Sequence, residues 1–566
     1  MPLTRRQFLV GAAAIGATAA AAGCAPDWMS GLDEKPTALP PGATPMPGST
    51  PYSTGAVTWT PTPFAAVNVK PPSAIAFALT RMTFGPRPGD VERVTKLGLD
   101  NYIEQQLHPE MIDDGAMDKL LEQFPSLKMT FAELIDNYPQ PKPQDKPKNQ
   151  PTPGPGTPQP TPPPKGQRPP GPGEVISELQ QATLLRAIFS ERQLFEMMAD
   201  FWTNHFNIYI GKQADKWMKT VDDREVIRKY ALGKFKDMLT ASAKSPAMLE
   251  YLDNRVSVKG KPNENYAREI MELHTLGVDG GYTYTDIQNV ARAFTGWTIA
   301  PPRAAGRTGA DGYIFNARQH DDDEKTVLGV KIPKGGGETD GMKVIEILAN
   351  HPSTAKFLAT KMVRRFVSDT PPDALVQKVA ATYQKTGGDI REMMSVILHS
   401  DEFKNSYGQK ARRPLEFVAG TLRALDVKVD GKDGDILRMV MNSLGQPLFQ
   451  WPTPDGFPDF AGAWINTNGL LARWNIALNL MTPGGRGIKA DTQAPTTQAN
   501  PKSAADVVDY WVNRLLSRPM AAADRDKLIN YLTGGVANVT LNDQAIKTKV
   551  PGLVALVVSS PDYQYR

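Results

Sequence analysis

The chain has 566 residues, 22% of them charged, and its 64 Lys and Arg residues nearly balance its 60 Asp and Glu residues. This balance, without a basic tail or a stripe of basic and aromatic residues, argues against nucleic acid as a partner. Cys24 is the one cysteine, which excludes an intramolecular disulfide and, elsewhere in the chain, any zinc–thiolate or iron–sulfur site.

The amino terminus resembles an export signal. Residues 4–9, TRRQFL, resemble a twin-arginine motif, and the Ala- and Gly-rich run that follows is too short to span a membrane. Small residues before Cys24 resemble a lipoprotein processing site. We expect residues 1–23 to be a signal peptide and the mature protein to be extracytoplasmic, tethered to the membrane surface by a lipid on Cys24. The alternative is an ordinary export signal, with Cys24 discarded or left as a free thiol.

Two low-complexity segments divide the remainder. Residues 24–72 are rich in Pro, Thr, Gly and Ser, and predict a disordered tether between the anchor and the folded body. Residues 139–173 are dominated by Pro and Gly, and predict a disordered insert, because such a segment has too few apolar residues to offset the entropy of ordering it.

The other residues of 73–566 predict a mainly α, multi-helical domain with few or no strands. Residues 174–205, for example, have apolar side chains at helical spacing. The best strand signal pairs residues 313–317 with 326–332 as one short hairpin. A domain of this length exceeds one comfortable core, so we expect two helical lobes packed as one body.

The segment from Asn263 to Trp297 concentrates polar side chains in helix-forming sequence. At about 100° per residue, its carboxylates fall on one face of a helix that should end at Gly277. A second helix is predicted to begin at Thr285, which has capping-box spacing to Gln288. The polar face comprises Glu264, Asn265, Arg268, Glu269 and Glu272.

The same segment, NENYARE…EL.TLGVDGGYT…D…ARAFTGW, resembles the signature of the bacterial family called domain of unknown function 1800. Other blocks match that family in order along about residues 73–566: LTRMTFGPRP, FWTNHFN, SPAMLEYLDN, QHDDDEKTVLG, HPSTAKFLATKMVRRFV, RRPLEFV, LGQPLFQWPTPDGFPD and SSPDYQ. The resemblance implies a helical architecture and candidate positions, but no settled chemistry. The family is often encoded beside another exported family, which implies a partner of that kind.

Polar residues cluster in three of these blocks and suggest a catalytic site. We predict that His205, Glu269, Glu272 and His320 approach one another in a cleft, since imidazole and carboxylate groups serve as acids, bases and metal ligands. A divalent metal held by His205, Glu269 and His320 would fit this set. Supporting residues are predicted to be Asn204, Asn265, Arg268 and Asp321. The alternatives are a histidine bonded to backbone at 205, a solvated acidic loop at 320, and a solvated Glu–Arg face on the helix.

Aromatic residues interleaved with Pro and Gly form a further candidate feature. Trp451, Phe457 and Trp464 are predicted to form a ligand-stacking wall. They would equally serve to close a core between lobes.

Two classes of function remain. One is an exported, metal-dependent hydrolase or lyase acting on an envelope or extracellular polymer. The other is a non-catalytic surface lipoprotein that binds a partner or scaffolds an envelope complex. The first requires the histidines and carboxylates to converge, and the second predicts an exposed apolar patch instead.

Overall fold

The computed structural model describes residues 70–140, 170–300, 312–429, 433–482, 487–536 and 542–566. The predicted signal peptide, Cys24 and nearly all of the tether and insert lie outside these residues.

The described residues are mainly helical, as predicted. The amino-terminal half contains α1 (Ala74–Met82), α2 (Asp90–Leu97), α3 (Leu99–Leu107), α4 (Gly115–Leu121), α5 (Phe131–Asn137), α6 (Pro172–Phe189), α7 (Gln193–His205), α8 (Asp215–Asp222), α9 (Phe235–Lys244), α10 (Pro246–Tyr251), α11 (Glu264–Met271) and α12 (Tyr284–Ala293). Two π-helical turns, Asp223–Arg228 and Glu272–Leu276, extend α8 and α11. Short 3₁₀ turns span Pro109–Met111, Pro125–Lys128, Asn254–Val256 and Ala317–Gln319.

The carboxy-terminal half continues in the same way. It contains α13 (Glu338–Ala349), α14 (Pro352–Phe366), α15 (Asp373–Thr386), α16 (Ile390–His399), α17 (Asp401–Lys404), α18 (Pro414–Ala424), α19 (Gly434–Ser443), α20 (Ala461–Trp464), α21 (Thr467–Met481), α22 (Gln493–Gln498), α23 (Ala504–Leu516), α24 (Ala522–Thr533), α25 (Asp543–Ser559) and α26 (Pro561–Gln564).

Four three-residue strands form two antiparallel pairs, and their pairing differs from the prediction. Strand β1 (Trp297–Ile299) pairs with β2 (Tyr313–Phe315), with Trp297 opposite Phe315. Strand β3 (Lys325–Val327) instead turns back on β4 (Val330–Ile332). The predicted pairing of 313–317 with 326–332 is wrong because Leu328 and Gly329 both have positive φ, 49° and 76°. Two such residues make a tight hairpin turn inside the segment 326–332, which the sequence predicts as one strand.

Buried apolar residues form one cluster that runs through the described segments from Phe77 to Tyr563. This continuity agrees with helices packed as one body. Trp202, Trp297 and Trp511 are among its largest fully buried side chains. None of the described helices has the length and apolar character needed to cross a membrane.

Helices α7 and α14 position the side chains of the candidate site. In α7, buried Leu194, Met197 and Phe201 recur at helical spacing, and the same stripe buries His205 at the end of the helix. In α14, Pro352 occupies the first turn, and His351 accepts a hydrogen bond from the backbone amide of Ser353 at 3.2 Å.

The boundaries of α11 and α12 test the prediction for the 263–297 segment. The first helix and its π-helical turn end at Gly277, which has a φ of 80°, as predicted. The second helix begins one residue earlier than predicted, at Tyr284, and its capping box joins Thr283 to Asp286 rather than Thr285 to Gln288.

Candidate functional site

A cavity of about 850 Å³ lies where α7, α14 and the aromatic segment meet. This volume is in the range of small-molecule sites. The lining residues are Phe201, Asn204 and His205 of α7, Lys361, Arg364 and Arg365 of α14, then Asp369, Thr370, Arg413, Trp451, Asp455, Gly456, Phe457, Pro458, Asp459, Phe460, Gly462 and Ile465.

His205 and Lys361 form a hydrogen-bonded pair at this cavity. Nε2 of His205 lies 3.1 Å from the carbonyl oxygen of His274, and Nδ1 lies 3.0 Å from Nζ of Lys361. A carbonyl oxygen only accepts, so Nε2 carries the proton and Nδ1 of the neutral ring accepts from Lys361. Burial, and then the positive charge of Lys361, lower the pKa of His205 well below its usual value, so the ring is neutral.

The carbonyl that orients His205 comes from the π-helical turn Glu272–Leu276. Carbonyl groups in the last turn of a helix lack partners within it, and π-helical turns displace the usual ladder further. His274 contributes its backbone rather than its ring: the ring is buried, burial lowers its pKa to about 3, and neither ring nitrogen has a partner among the described residues. Among the described residues, Lys361 is thus the charged side chain that contacts the His205 ring.

Lys361 lines the cavity, and no carboxylate of the described residues forms an ion pair with it. Burial lowers its pKa from 10.5 to about 8; Asp459 opposes this effect and Arg364 adds to it. Its ammonium group also lies 5.4 Å from the centre of the Phe357 ring. A lysine of this kind is partly neutral near pH 8 and can then act as a base.

Arg364, one turn after Lys361, also lines the cavity. It is half-buried and forms no ion pair or hydrogen bond within the described part of the chain. Residues three apart on a helix are neighbours on its surface. Lys361 and Arg364 thus present two cations to one edge of the cavity.

The other two guanidinium groups of the lining, those of Arg365 and Arg413, form ion pairs with carboxylates. Arg365 lies 2.9 Å from Asp200 and 2.5 Å from Glu416, and Arg413 also pairs with Asp200. Glu416 receives a third guanidinium group, Arg566, at 2.7 Å. Burial alone would raise the pKa of Glu416, but Arg365, Arg566 and Arg413 lower it to about 2. This cluster of three guanidinium groups and two carboxylates reaches the cavity through Arg365 and Arg413, and we call it the floor of the cavity.

Two of the lining carboxylates are occupied as well. Lys410 lies 2.5 Å from Asp369 and 3.2 Å from Asp459. Burial would raise the pKa of Asp459, but Lys410, Arg365 and Arg413 hold it well below its usual range. Asp369 also accepts from the backbone amide of Ala461 at 2.7 Å, which fixes the start of α20.

The aromatic wall is held by hydrogen bonds from α7, the loop after it and α10. Asn204 donates to the carbonyl of Phe457 at 2.8 Å and accepts from its amide at 2.7 Å. Asn207 donates to the carbonyls of Trp451 and Thr453, and Tyr251 donates to that of Pro452. A loop pinned at this many points is a rigid surface, which lowers the entropic cost of binding a ligand.

The three predicted wall residues divide between the cavity and its backing. Trp451 and Phe457 line the cavity, with ring centres 4.9 Å apart. Trp464 does not line it; its ring lies 6.0 Å from that of Phe457, and its indole N–H donates to the carbonyl of Pro458. Asp455, at the exposed end, accepts from the Trp451 indole at 3.0 Å and from the Thr453 hydroxyl at 2.5 Å.

The predicted carboxylates of α11 lie outside the lining. Burial, and then Glu272, raise the pKa of Glu269 to about 7; Arg268 opposes this shift and Asp455 adds to it. Arg268 lies 3.5 Å from Glu272, which matches the Glu–Arg pairing weighed above. Asn265 is exposed at the start of this helix.

His320 belongs to a different cluster. Its Nδ1 lies 2.8 Å from the carbonyl of Thr295, and its Nε2 lies 3.2 Å from the buried carboxylate of Asp340, which also binds Lys325 at 2.7 Å. Asp321 pairs with Arg292 at 2.9 Å. The buried position of His320 differs from the solvated loop considered above.

The predicted metal-ligand set is therefore not assembled. Both ring nitrogens of His205 and both of His320 already have partners, and Glu269 lies outside the cavity that His205 lines. Among the described residues, no three His, Cys, Asp or Glu side chains are grouped so as to hold a metal ion. His205 is thus not grouped with Glu269 and His320 as predicted. The side chain that contacts its ring at the cavity is Lys361.

Lys361 and Arg364 were missed from the sequence. Their one signal is position: the last part of α14 carries Lys361, Arg364 and Arg365 within five residues, inside the block HPSTAKFLATKMVRRFV. Basic residues at such spacing usually form a solvated face, so the pattern alone does not indicate a site.

The fold and cavity define a mainly α protein with a basic and aromatic pocket. The family model described as protein of unknown function (DUF1800) matches residues 77–565, and the chain belongs to that family, as its resemblance predicted. No curated protein matches the chain. No solved structure matches it either.

Proposed function

We propose that this protein is an exported, lipid-anchored enzyme, a hydrolase or lyase acting on an envelope or extracellular polymer, and that Lys361 is its general base. The supporting observation is the Lys361–His205 pair at the cavity. A lysine with a lowered pKa, turned toward a cleft and oriented by a neutral partner, matches what base catalysis needs near neutral pH.

Each member of the pair has a defined role. Neutral Lys361 donates one N–H to Nδ1 of His205 and directs its lone pair into the cavity, where it takes a proton from water or from the substrate. His205 is a positioning residue, because the carbonyl of His274 fixes its tautomer. This follows the general pattern in which a reactive group is oriented by a second group, itself oriented by a third.

The amino-terminal sequence indicates where the enzyme would meet its polymer. The twin-arginine motif and the lipoprotein-like sequence before Cys24 support a folded domain anchored outside the cytoplasmic membrane. An enzyme anchored there would act on polymers near the membrane surface, where it could also meet another exported protein.

The test is an activity screen of the mature protein against envelope and extracellular polymers. Product is measured both as new reducing ends and as ultraviolet absorbance of unsaturated ends. Lys361→Met should abolish product formation. Lys356→Met, on an exposed position of the same helix, is the matched control and should retain full activity.

Two conditions sharpen the result. Because Lys361 must be neutral to act, the rate should rise with pH and level off above about pH 8, with roughly a hundredfold lower rate two pH units below. Activity that is lost with a chelator and restored by a divalent metal would favour the metal-dependent hypothesis instead. Equal activity of Lys361→Met and wild type would overturn the proposal, and polymer binding without turnover would favour the non-catalytic lipoprotein.

A further inference from the structure

We propose that the substrate is a polymer of carboxylate-bearing sugars, and that Arg364 binds the carboxylate while Lys361 removes the proton on the adjacent carbon, which makes the reaction a β-elimination. This inference rests on the proposed function and chooses between its two reaction types.

One cation of the cavity lining, Arg364, lacks a carboxylate partner among the described residues. Arg365 and Arg413 are paired with Asp200 and Glu416, whereas Arg364 has no partner within the described part of the chain. A guanidinium group binds a carboxylate through two parallel hydrogen bonds. Arg364 is therefore the available position for an acidic group, one helical turn from the base.

The carboxylates that line the cavity do not favour hydrolysis. Hydrolysis of glycosidic bonds usually needs two free carboxyl groups, one as acid and one as base or nucleophile. Asp369 and Asp459 are both bound to Lys410. Asp455 is exposed and accepts from Trp451 and Thr453. The lining thus lacks a free carboxylate pair, while it supplies a base and a cation.

An aromatic wall shares the cavity with Lys361 and Arg364. Its residues Trp451 and Phe457 present aromatic rings beside polar groups, a combination suited to a sugar ring with apolar faces and hydroxyl edges. The pinned loop 451–457 would hold a sugar ring in a fixed position. A charged sugar stacked here would lie in the same cavity as Arg364.

The reaction step balances without a co-reactant. Neutral Lys361 takes the proton from the carbon that bears the carboxylate, and Arg364 stabilises the negative charge that develops on that carboxylate. The electron pair forms a double bond to the next carbon, and the bond from that carbon to the glycosidic oxygen breaks. The lysine, now an ammonium group, returns the proton to the departing oxygen.

The experiment uses polygalacturonate, alginate and hyaluronate as probes, with a neutral glucan as the comparison. Wild type should produce unsaturated ends, seen by ultraviolet absorbance, from at least one polyuronate and none from the glucan. Arg364→Gln should raise KM by at least about tenfold, the loss expected for a charge-assisted contact. Lys361→Met should mainly reduce kcat, and Lys356→Met should match wild type.

Binding supplies a second measurement that does not depend on turnover. Trigalacturonate should quench the fluorescence of Trp451 at lower concentration than its methyl ester, and Arg364→Gln should remove that preference. This inference is overturned if none of the three polyuronates yields unsaturated ends. It is also overturned if trigalacturonate and its methyl ester bind equally well. Reducing ends that depend on Lys361 but carry no unsaturation would overturn the inference and leave the proposed function standing.

Discussion

Replacing Glu416 by Gln should destabilise the protein by about 3–5 kcal/mol. Glu416 is fully buried and bears the only carboxylate that contacts Arg566 in the described residues. The substitution keeps the volume and removes the charge, so three guanidinium groups lose a shared partner while Arg365 and Arg413 keep Asp200. Breaking a buried ion pair from one side costs about this much, because the remaining charges stay buried.

The pKa of Glu416 supports the same magnitude. Its displacement from 4.5 to about 2 corresponds to roughly 3 kcal/mol in favour of the ionised carboxylate. Because the folded pKa lies below the unfolded one, this contribution is present above about pH 5 and is lost as the pH falls toward 2. The stability difference between wild type and Glu416→Gln should therefore narrow over that pH range.

Urea unfolding followed by tryptophan fluorescence and circular dichroism measures both effects. The midpoint of Glu416→Gln should fall while the slope is unchanged. Asp509→Asn, which breaks the exposed pair with Arg525, is the control and should cost no more than about 1 kcal/mol. A loss at Glu416 as small as that of the control would refute the view that the floor of the cavity is held by this cluster.

Three further outcomes are expected. Lys361→Met should raise stability at pH 7 by about 1–3 kcal/mol in urea unfolding, since a lysine whose folded pKa is lowered from 10.5 to about 8 destabilises the fold below pH 8; the gain should disappear toward pH 10.5, and no gain at pH 7 would contradict the assigned burial. Gly456→Ala should cost about 1–3 kcal/mol and weaken ligand quenching of Trp451, because its φ is 74° and a Cβ would lie 2.3 Å from the carbonyl of Asn204; Gly445→Ala, with a φ of 78° and open space, should show only the smaller backbone effect. Changing Arg5 and Arg6 to Lys should trap precursor inside the cell, and Cys24→Ala should release soluble protein; unchanged membrane fractionation of the latter would exclude the lipid anchor.

Local patterns in the sequence predicted the helices well. The apolar spacing of α7 and the end of the α11 segment at Gly277 depend on neighbours within one or two turns, so they are readable from the chain. The capping box was predicted two residues too late, because Thr283 and Thr285 each precede a residue that can complete a capping box, Asp286 or Gln288, by three positions. Strand pairing failed because the partner of 313–315 lies before residue 301, a choice that local patterns do not determine.

The site was predictable in its positions more than in its chemistry. His205, Asn204, Trp451 and Phe457 all lie at the cavity. Lys361 was not predicted, because its partner His205 is 156 positions away and only packing brings them together. The partners of His320 were not predicted for the same reason: its nearest carboxylate, that of Asp340 at 3.2 Å, comes from α13, whereas that of its sequence neighbour Asp322 lies 3.8 Å away.

The charged cluster at the floor of the cavity joins residues that lie far apart in the sequence, and this separation affects the order of folding. The side chain of Arg566 donates to the carbonyl of Arg81, 485 positions earlier, as well as binding Glu416. Until that distant arginine has been added to the chain and has packed, Glu416 lacks one of its cations and the floor of the cavity is incomplete. Contacts across so long a separation form late and slowly. The floor should therefore be completed among the last steps of folding.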